Sequence, residues 1–122
     1  MIKILCVEDD YVASYVLHQQ IERMGYFIID KLDNGEDALE LCEWNRPDLI
    51  LMDITLNGEL DGVETAKRII EEEEIPVIFI TGNSDPAVKE RALEMKPMGY
   101  FTKPFELKDL QTTIERVANQ RT

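Results

Sequence analysis

The chain has 122 residues, the usual length of one domain, and its 25 acidic against 13 basic residues give a formal net charge of −12. Nucleic acids and anionic membrane surfaces are bound mainly through clustered Lys and Arg, so this charge argues against direct contact with either. A hydrophobic content of 44% predicts a globular core. No apolar run approaches the roughly 18 residues that a membrane span needs.

Five short apolar segments in the chain read as β-strands, and each is followed by a helical pattern. In chain order these segments are residues 2–7, 26–29, 49–52, 77–80 and 99–102. The third and fourth are apolar throughout, which is typical of central parallel strands covered on both faces. Strands that alternate with helices predict a single α/β domain with a doubly wound parallel sheet.

The helices are located by their apolar stripes and by their end signals. The stripes are Ala13, Leu17, Ile21 and Met24 in the first helix, Ala38, Leu41 and Cys42 in the second, Val63, Ala66 and Ile70 in the third, and Leu107, Leu110, Ile114 and Val117 in the fifth. The end signals are Gly25 after the first helix, Asn34 before the second, Asp61 before the third and Pro86 at the start of the fourth.

The cysteines and the N-terminus favour a cytoplasmic protein. Cys6 and Cys42 lie inside apolar periodic segments and in no metal-type spacing, so we expect buried free thiols rather than a disulfide. Residues 1–7 run directly into acidic residues, without the basic region and cleavage site of a signal peptide.

Polar side chains follow four of the five predicted strands. They are Glu8, Asp9 and Asp10 after the first strand, Asp53 after the third, Thr81 after the fourth and Lys103 after the fifth. In open α/β sheets ligands bind beyond the carboxyl ends of the strands. Carboxylates suit Mg²⁺, and a lysine with a hydroxyl suits a phosphoryl group. Any one of these residues could be a helix cap or turn former, but four agreeing strand ends predict a phosphate and magnesium site.

The chain resembles the response-regulator receiver domain of two-component signalling in four segments that match in order and spacing. These segments are ILCVEDD, DLILMDITLNGELDG, VIFITG and GYFTKPF. The resemblance covers essentially the whole chain. It implies one receiver domain over residues 1–122, with the flavodoxin-like (βα)5 fold around a central five-stranded parallel sheet.

The resemblance also implies a phosphoacceptor and a metal site. Asp53 matches the aspartate that takes a phosphoryl group from a phosphohistidine. Glu8 and Asp9 match the acid pair that holds Mg²⁺, with Asp9 as a direct ligand and Glu8 acting through water. Asp53 and the backbone carbonyl of Thr55 would complete the protein's share of the coordination.

Three further positions match the switch of this family. Thr81 matches the hydroxyl that moves toward the phosphate, Lys103 the lysine that contacts the phosphate, and Tyr100 the aromatic side chain that swings with the hydroxyl. The Lys103-Pro104 bond is a candidate for a cis peptide. The face formed by the fourth helix, the fifth strand and the fifth helix would then change shape for signal output.

Partner contacts are expected along the first helix. Val12, Val16 and Gln19 widen its apolar face beside the buried stripe, and a wider core contact would explain them almost as well as docking. In receivers this edge docks the phosphodonor, which gives the candidates Val12, Ala13, Val16, Gln19 and Gln20. The implied partners are a sensor histidine kinase or a histidine phosphotransfer protein, and a downstream protein or fused output domain. A phosphorylation-dependent dimer is a further form that output can take.

One loop departs from the family pattern. The family most often has proline four residues after the phosphoacceptor, where this chain has Asn57. Residues 56–60 also make the approach to Asp61 one residue longer than usual. Both differences lie in the loop that carries Thr55.

Two other functions would use part of the same residue pattern. A Mg²⁺-dependent phosphohydrolase with an aspartyl phosphate typically has a second Asp two residues after the nucleophile, where this chain has Thr55. A receiver-like interaction module that is never phosphorylated would not need the complete set of acids, hydroxyl and lysine. We therefore predict a signalling switch that catalyses only its own phosphoryl transfer and dephosphorylation, and is not otherwise an enzyme.

Overall fold

Strands and helices alternate along the part of the chain that the computed structural model describes, residues 2–56 and 58–120. The strands are β1 (Lys3–Val7), β2 (Phe27–Leu32), β3 (Leu49–Met52), β4 (Val77–Thr81) and β5 (Gly99–Thr102). The helices are α1 (Tyr11–Arg23), α2 (Gly35–Trp44), α3 (Gly62–Arg68), α4 (Pro86–Glu94) and α5 (Leu107–Gln120), and a π-helical turn, Ile69–Glu73, prolongs α3. The α/β class predicted from the sequence is confirmed.

The five strands form one parallel sheet in the order β2-β1-β3-β4-β5. Val7 at the end of β1 is paired with Met52 at the end of β3, and Thr81 with Thr102 at the ends of β4 and β5. The chain leaves β1 for the edge strand β2 and returns to the other side of β1 at β3. Because ligands of such sheets bind where the strand order reverses, the carboxyl ends of β1 and β3 are the expected position of a site.

The core consists of two apolar layers, one on each face of the sheet. Leu5 and Val7 face the layer covered by α2, α3 and α4, while Ile4 and Cys6 face the layer covered by α1 and α5. Both layers contain a cysteine, since Cys42 of α2 packs in the first. Cys6 and Cys42 are buried and free, as the sequence predicted.

The helix ends follow the predicted signals. Asn34 and Asp61 accept backbone N–H hydrogen bonds as N-caps of α2 and α3, and Pro86 is at the first turn of α4. Gly25 lies just after α1 with φ of 93°, a conformation that favours glycine. None of the helices in the described part of the chain combines the length and apolar character needed to cross a membrane.

The third helix differs from its predicted pattern at its C-terminal end. Val63 and Ala66 are buried as expected, but the fully buried side chain that follows is Ile69, while Ile70 is only partly buried. Ile69 lies three residues after Ala66, on the same face of the helix, and the π-helical turn begins there. Glu74 then ends the turn with φ of 56°.

Candidate functional site

Three carboxylates meet at the carboxyl ends of β1 and β3. Glu8 and Asp9 follow β1, Asp53 follows β3, and one oxygen of each lies within 4.8 Å of the others. Backbone hydrogen bonds hold two of them in place, because the N–H of Asp53 donates to the carbonyl of Val7 and that of Glu8 to the carbonyl of Leu32, both at 2.9 Å. Glu8 is 7% and Asp53 8% exposed, so the acids converge at a largely desolvated position.

Asp10 does not join this group. Its Oδ1 accepts hydrogen bonds from the N–H groups of Val12 and Ala13 at 2.9 and 3.1 Å, which makes it the N-cap of α1. Asp10 is exposed, and it is the one acid of the predicted strand-end set that has a capping role.

Lys103 brings a positive charge to the acids from the end of β5. Its Nζ donates to Oε1 of Glu8 at 2.7 Å, while the N–H of Asp10 donates to the other oxygen of Glu8 at 3.0 Å. The backbone N–H of Lys103 donates to the carbonyl of Thr81 at 2.8 Å, which ties β5 to the end of β4. The Lys103-Pro104 bond is cis, as expected.

The environment of Asp53 opposes its ionisation. Burial, followed by the neighbouring carboxylate of Glu8, raises the pKa of Asp53 from 3.8 to about 6. The hydroxyl of Thr81 and the N–H of Thr55 act in the opposite direction, and the Thr55 N–H donates to Oδ1 of Asp53 at 3.2 Å. A positive charge placed near Asp53 would therefore stabilise the ionised form of its carboxylate.

The other two acids respond to the same cluster in opposite directions. Burial and the charge of Glu8 raise the pKa of Asp9. Burial also raises the pKa of Glu8, but hydrogen bonds with Asp53 and Lys103 outweigh it and hold that pKa below its usual value. Glu8 is therefore the acid that Lys103 neutralises, while Asp9 and Asp53 share the remaining negative charge.

The donor set of this cluster fits Mg²⁺. The ion takes oxygen ligands, one or two of them carboxylates, and shares further oxygens with a phosphate. Asp9 and Asp53 provide carboxylate oxygens within 4.8 Å of each other, and burial together with the neighbouring Glu8 raises the pKa of each, so a bound cation would favour their ionised forms. An acidic pocket of this kind is where receiver domains bind Mg²⁺.

Thr81 and Tyr100 lie on the neighbouring strands β4 and β5, two register positions apart, and each interacts with Asp53. Thr81 is fully buried, and its Oγ1 accepts from the N–H of Asn83 at 3.1 Å. The ring of Tyr100 packs 6.0 Å from that of Phe79 and carries the ammonium of Lys89 5.4 Å from its centroid. Its hydroxyl oxygen is buried and has no hydrogen-bond partner among the described residues. Burial and the charge of Asp53 raise the pKa of Tyr100.

The β3–α3 loop, residues 53–61, carries Thr55 past the site. The N–H of Gly62 donates to the carbonyl of Ile54 at 2.7 Å, which closes the loop at its base. Glycine is needed there because a Cβ would lie 1.8 Å from the carbonyl oxygen of Asp53. Asn57, at the position where the family usually has proline, lies outside the described residues.

The predicted docking residues of α1 divide into two sets. Ala13, Val16 and Gln20 line a groove of about 320 Å³. The other residues that line it are Leu17, Ile80, Lys103, Pro104, Phe105 and Leu107. Val12 and Gln19 are exposed outside this groove. Core packing does not explain the two valines, because Val12 is 69% and Val16 46% exposed.

Leu107 and Glu36 are two residues whose environment sequence reasoning did not anticipate. Leu107, assigned to the buried stripe of α5, is 37% exposed and lines the same groove as Ala13. Glu36, in the first turn of α2, accepts a hydrogen bond of 3.0 Å from the N–H of Leu60 in the β3–α3 loop. No spacing or motif marks Glu36, because acids are ordinary in the first turn of a helix.

Together, the strand order and the acids, threonine and lysine at one edge of the sheet define the class of receiver domains. The family model described as Response regulator receiver domain matches residues 4–115, and the chain belongs to this family. Members of this family are signalling switches of two-component systems.

Individual relatives extend the comparison. The chain is 32% identical over 113 residues to the transcriptional regulatory protein PdtaR of Mycobacterium tuberculosis (strain CDC 1551 / Oshkosh), covering 93% of this chain and 55% of PdtaR. It is 30% identical over 115 residues to sporulation initiation phosphotransferase F of Bacillus subtilis (strain 168), covering 93% of this chain and 91% of the relative. The chain spans about half the length of most of the curated relatives that it matches.

Solved structures of similar fold include two receiver domains. The signal receiver domain of a modulated diguanylate cyclase from Desulfovibrio desulfuricans G20 has a TM-score of 0.90 and 39% identity, with 98% of this chain and 95% of that chain covered. The receiver domain of a sensor histidine kinase from Pseudomonas aeruginosa PAO1, solved with a magnesium ion coordinated in its active site cleft, has a TM-score of 0.82 and 30% identity, covering 94% of this chain and 95% of that chain.

Proposed function

We propose that this domain is the phosphoacceptor of a two-component phosphorelay, with Asp53 as the residue that is phosphorylated. The observation that carries the proposal is the meeting of Glu8, Asp9 and Asp53 within 4.8 Å, beside a lysine whose Nζ lies 2.7 Å from Glu8. A nucleophilic carboxylate, acids suited to a divalent cation and a mobile positive charge are what phosphoryl transfer to an aspartate requires.

The transfer needs no general base. An unprotonated oxygen of Asp53 attacks the phosphorus of a phosphohistidine, the new P–O bond forms as the P–N bond breaks, and the electron pair returns to the imidazole nitrogen. Glu8, Asp9, Asp53 and the carbonyl of Thr55 would hold Mg²⁺. When bound, the ion offsets the negative charge that nucleophile and phosphoryl group bring together.

Lys103 and Thr81 bind the transferred group. Lys103 has a single ammonium on a flexible stem, so it can turn from Glu8 to a phosphoryl oxygen without a change in the backbone. Thr81 lies next to Asp53 and can donate its hydroxyl proton to another oxygen of the group. Both contacts are stronger in the phosphorylated state, because the group adds negative charge and acceptor oxygens.

The proposed switch runs from Thr81 to Tyr100. Movement of the Thr81 side chain toward the phosphate would free the space beside Tyr100, whose buried hydroxyl has no partner among the described residues. An inward turn of Tyr100 would change the face formed by α4, β5 and α5. Phosphorylation would then shift the population between two states of this face.

The proposed phosphodonor is a sensor histidine kinase or a histidine phosphotransfer protein that docks on α1. The docking set is Val12, Ala13, Val16, Gln19 and Gln20. The apolar groove beside Lys103 supports this placement, because a helix seated there would be next to the path to Asp53. We place the exchange in the cytoplasm, where buried free thiols such as Cys6 and Cys42 remain reduced.

The proposed output is a protein contact made by the α4–β5–α5 face. Its target is a downstream protein or an output domain joined to the same chain, and a phosphorylation-dependent dimer is one form of the contact. The net charge of −12 argues against direct binding of DNA by this domain.

The experiment that tests the proposal is mass spectrometry after incubation with Mg²⁺ and phosphoramidate. We expect the wild type to gain the mass of one phosphoryl group and Asp53→Asn to gain none. A wild type that gains no adduct and does not consume the donor would identify a receiver-like interaction module instead. Rapid turnover of the donor with no accumulated adduct would favour a phosphohydrolase, and an equal adduct on Asp53→Asn would assign the phosphorylation to another residue.

A further inference from the structure

A carboxylate outside the predicted site, that of Glu36, contacts the loop that follows Asp53. Its Oε1 accepts from the N–H of Leu60, 24 residues later, at 3.0 Å. Its Oε2 faces Gly58, where an added Cβ would lie only 2.8 Å from that oxygen. The two oxygens of one side chain thus face two backbone positions of the β3–α3 loop.

The backbone of this loop segment is shaped to receive an anion. Gly58 has φ of +95°, in the left-handed region that favours glycine. The N–H groups of Glu36 itself, Leu60 and Glu59 hold the pKa of Glu36 below its usual value. Successive N–H groups in a turn form a concavity that binds anions, and here α2 supplies the anion.

The base of the same loop is fixed at the phosphorylation site. The N–H of Thr55 donates to Oδ1 of Asp53 at 3.2 Å, and the N–H of Gly62 donates to the carbonyl of Ile54 at 2.7 Å. The chain therefore leaves the site, passes through residues 58–60 and returns to the point where it started. Residues 58–60 are joined through Asp61 to Gly62, whose N–H holds the carbonyl of Ile54, the residue before Thr55, so a displacement of residues 58–60 can reach Thr55 through this hydrogen bond.

We propose that Glu36 is a positioning residue for the phosphorylation site. Its contact with residues 58–60 ties the loop to α2 and holds the backbone of Thr55 where a cation and a phosphoryl group need it. The inference rests on the function proposed above for Asp53, and it adds a residue on which Mg²⁺ affinity and aspartyl-phosphate lifetime depend. A longer loop loses more freedom when it is ordered, which gives this loop a reason to have an extra tether.

The test compares Glu36→Ala with Glu36→Gln, which keeps an acceptor oxygen but removes the charge. Glu40→Ala is the matched control, because Glu40 is an exposed acid one turn further along α2. We expect Glu36→Ala to weaken Mg²⁺ binding by up to about tenfold in calorimetric titration. It should also speed amide hydrogen exchange at Leu60 in the metal-free protein. Glu36→Gln should retain most of both properties, and Glu40→Ala should match the wild type.

A second variant tests the contact from the loop side. Gly58→Ala strains the backbone at φ of +95° and also places a Cβ against Glu36, so we expect it to weaken Mg²⁺ binding at least as much as Glu36→Ala does. In the double variant the clash is relieved, and the combined loss should be smaller than the sum of the two single losses. Fully additive losses would contradict the proposed contact.

Three further outcomes would overturn the inference. The first is unchanged Mg²⁺ binding and unchanged Leu60 amide exchange in Glu36→Ala, and the second is an unchanged aspartyl-phosphate lifetime in the same variant. The third is equal weakening of Mg²⁺ binding in Glu36→Ala, Glu36→Gln and Glu40→Ala, which would indicate a charge effect through space. The proposed function fails separately, because it fails if the wild type forms no phosphoryl adduct or if Asp53→Asn forms an equal one. Thermal unfolding of each variant verifies that it is folded.

Discussion

Asp53 is the residue at which burial and charge conflict most strongly. Its side chain is 8% exposed and lies beside Glu8, and its pKa is raised from 3.8 to about 6. Because the pKa is higher in the folded state than in the unfolded state, the folded protein binds the proton more tightly. The stability of the metal-free protein should therefore fall as pH rises from about 4 through 6, and the full cost should be present above pH 6.

Replacing Asp53 should consequently stabilise the metal-free protein. We expect Asp53→Asn, measured with a chelator present, to raise the free energy of unfolding by about 1–3 kcal/mol at pH 7.5, since one pKa unit corresponds to about 1.4 kcal/mol. The gain should shrink as the pH is lowered through 6 toward 4. Added Mg²⁺ should stabilise the wild type and have little effect on the variant. Urea unfolding at several pH values measures both.

The same series has a control and a contrary outcome. Glu40→Gln removes an exposed charge and should change the free energy of unfolding by no more than about 0.5 kcal/mol. A destabilised Asp53→Asn at pH 7.5, or a gain that does not depend on pH, would contradict the electrostatic account of Asp53.

Most of the candidate site could be predicted from single residues because strand ends are easy to locate. Asp53 and Lys103 each follow an apolar run, and runs of parallel strands end at one edge of the sheet. Asp10 looked the same in sequence, but its backbone position makes it a helix cap. Glu36 could not be found this way, because its contact with Leu60 depends on how the β3–α3 loop folds over α2.

At the scale of elements, β4 and β5 form the connection between the site and the α4–β5–α5 face. Thr81 and Thr102 are paired at the ends of the two strands, and Tyr100 on β5 is paired with Phe79 on β4. Thr81 is part of the candidate site, while the ring of Tyr100 contacts the ammonium group of Lys89 on α4. A side-chain movement at the end of β4 can therefore reach α4 through β5.

Removing the hydroxyl of Thr81 should separate phosphorylation from its effect on Tyr100. We expect Thr81→Ala to form the Asp53 adduct with Mg²⁺ and phosphoramidate, although more slowly. Phosphorylation should then cause little change in the NMR signals of the Tyr100 ring, in contrast to the wild type. Thr81→Ser, which keeps the hydroxyl, should retain the change. If Tyr100 responds to phosphorylation in Thr81→Ala as in the wild type, the coupling runs through other residues.

The helices could be predicted where the spacing of apolar residues and the capping residues indicated the same helix ends. Gly25 follows the end of α1, and Asn34 and Asp61 cap the helices that follow them. The π-helical turn after α3 was not predicted, and neither was the burial of Ile69 in place of Ile70, because both residues are apolar and both fit a helical stripe. The spacing of apolar residues predicts that a helix forms, but it does not predict whether a given turn is α-helical or π-helical.

At the scale of the whole molecule, the sheet order decides which predicted residues meet. Hydrophobic patterns identify strands but do not order them, so the positions of β2 at the edge and of β1 beside β3 are known from the structure alone. This order places Glu8 next to Asp53, and it places α1 and α5 on the same face of the sheet. The groove between α1 and the segment after β5 follows directly from that arrangement.

This groove leads to a prediction about phosphodonor recognition. Val12 and Val16 are 69% and 46% exposed on α1, and a carboxylate placed at either would be desolvated without a partner when an apolar helix docks. We expect Val12→Asp with Val16→Asp to slow transfer at least about tenfold from any histidine phosphodonor protein that phosphorylates the wild type. Phosphorylation by phosphoramidate should remain at the wild-type rate, because this donor needs no docking surface. Trp44→Asp is the matched control, since Trp44 is 70% exposed on α2, on the opposite face of the sheet. Equal slowing with both donors, or equal slowing by Trp44→Asp, would contradict docking on α1.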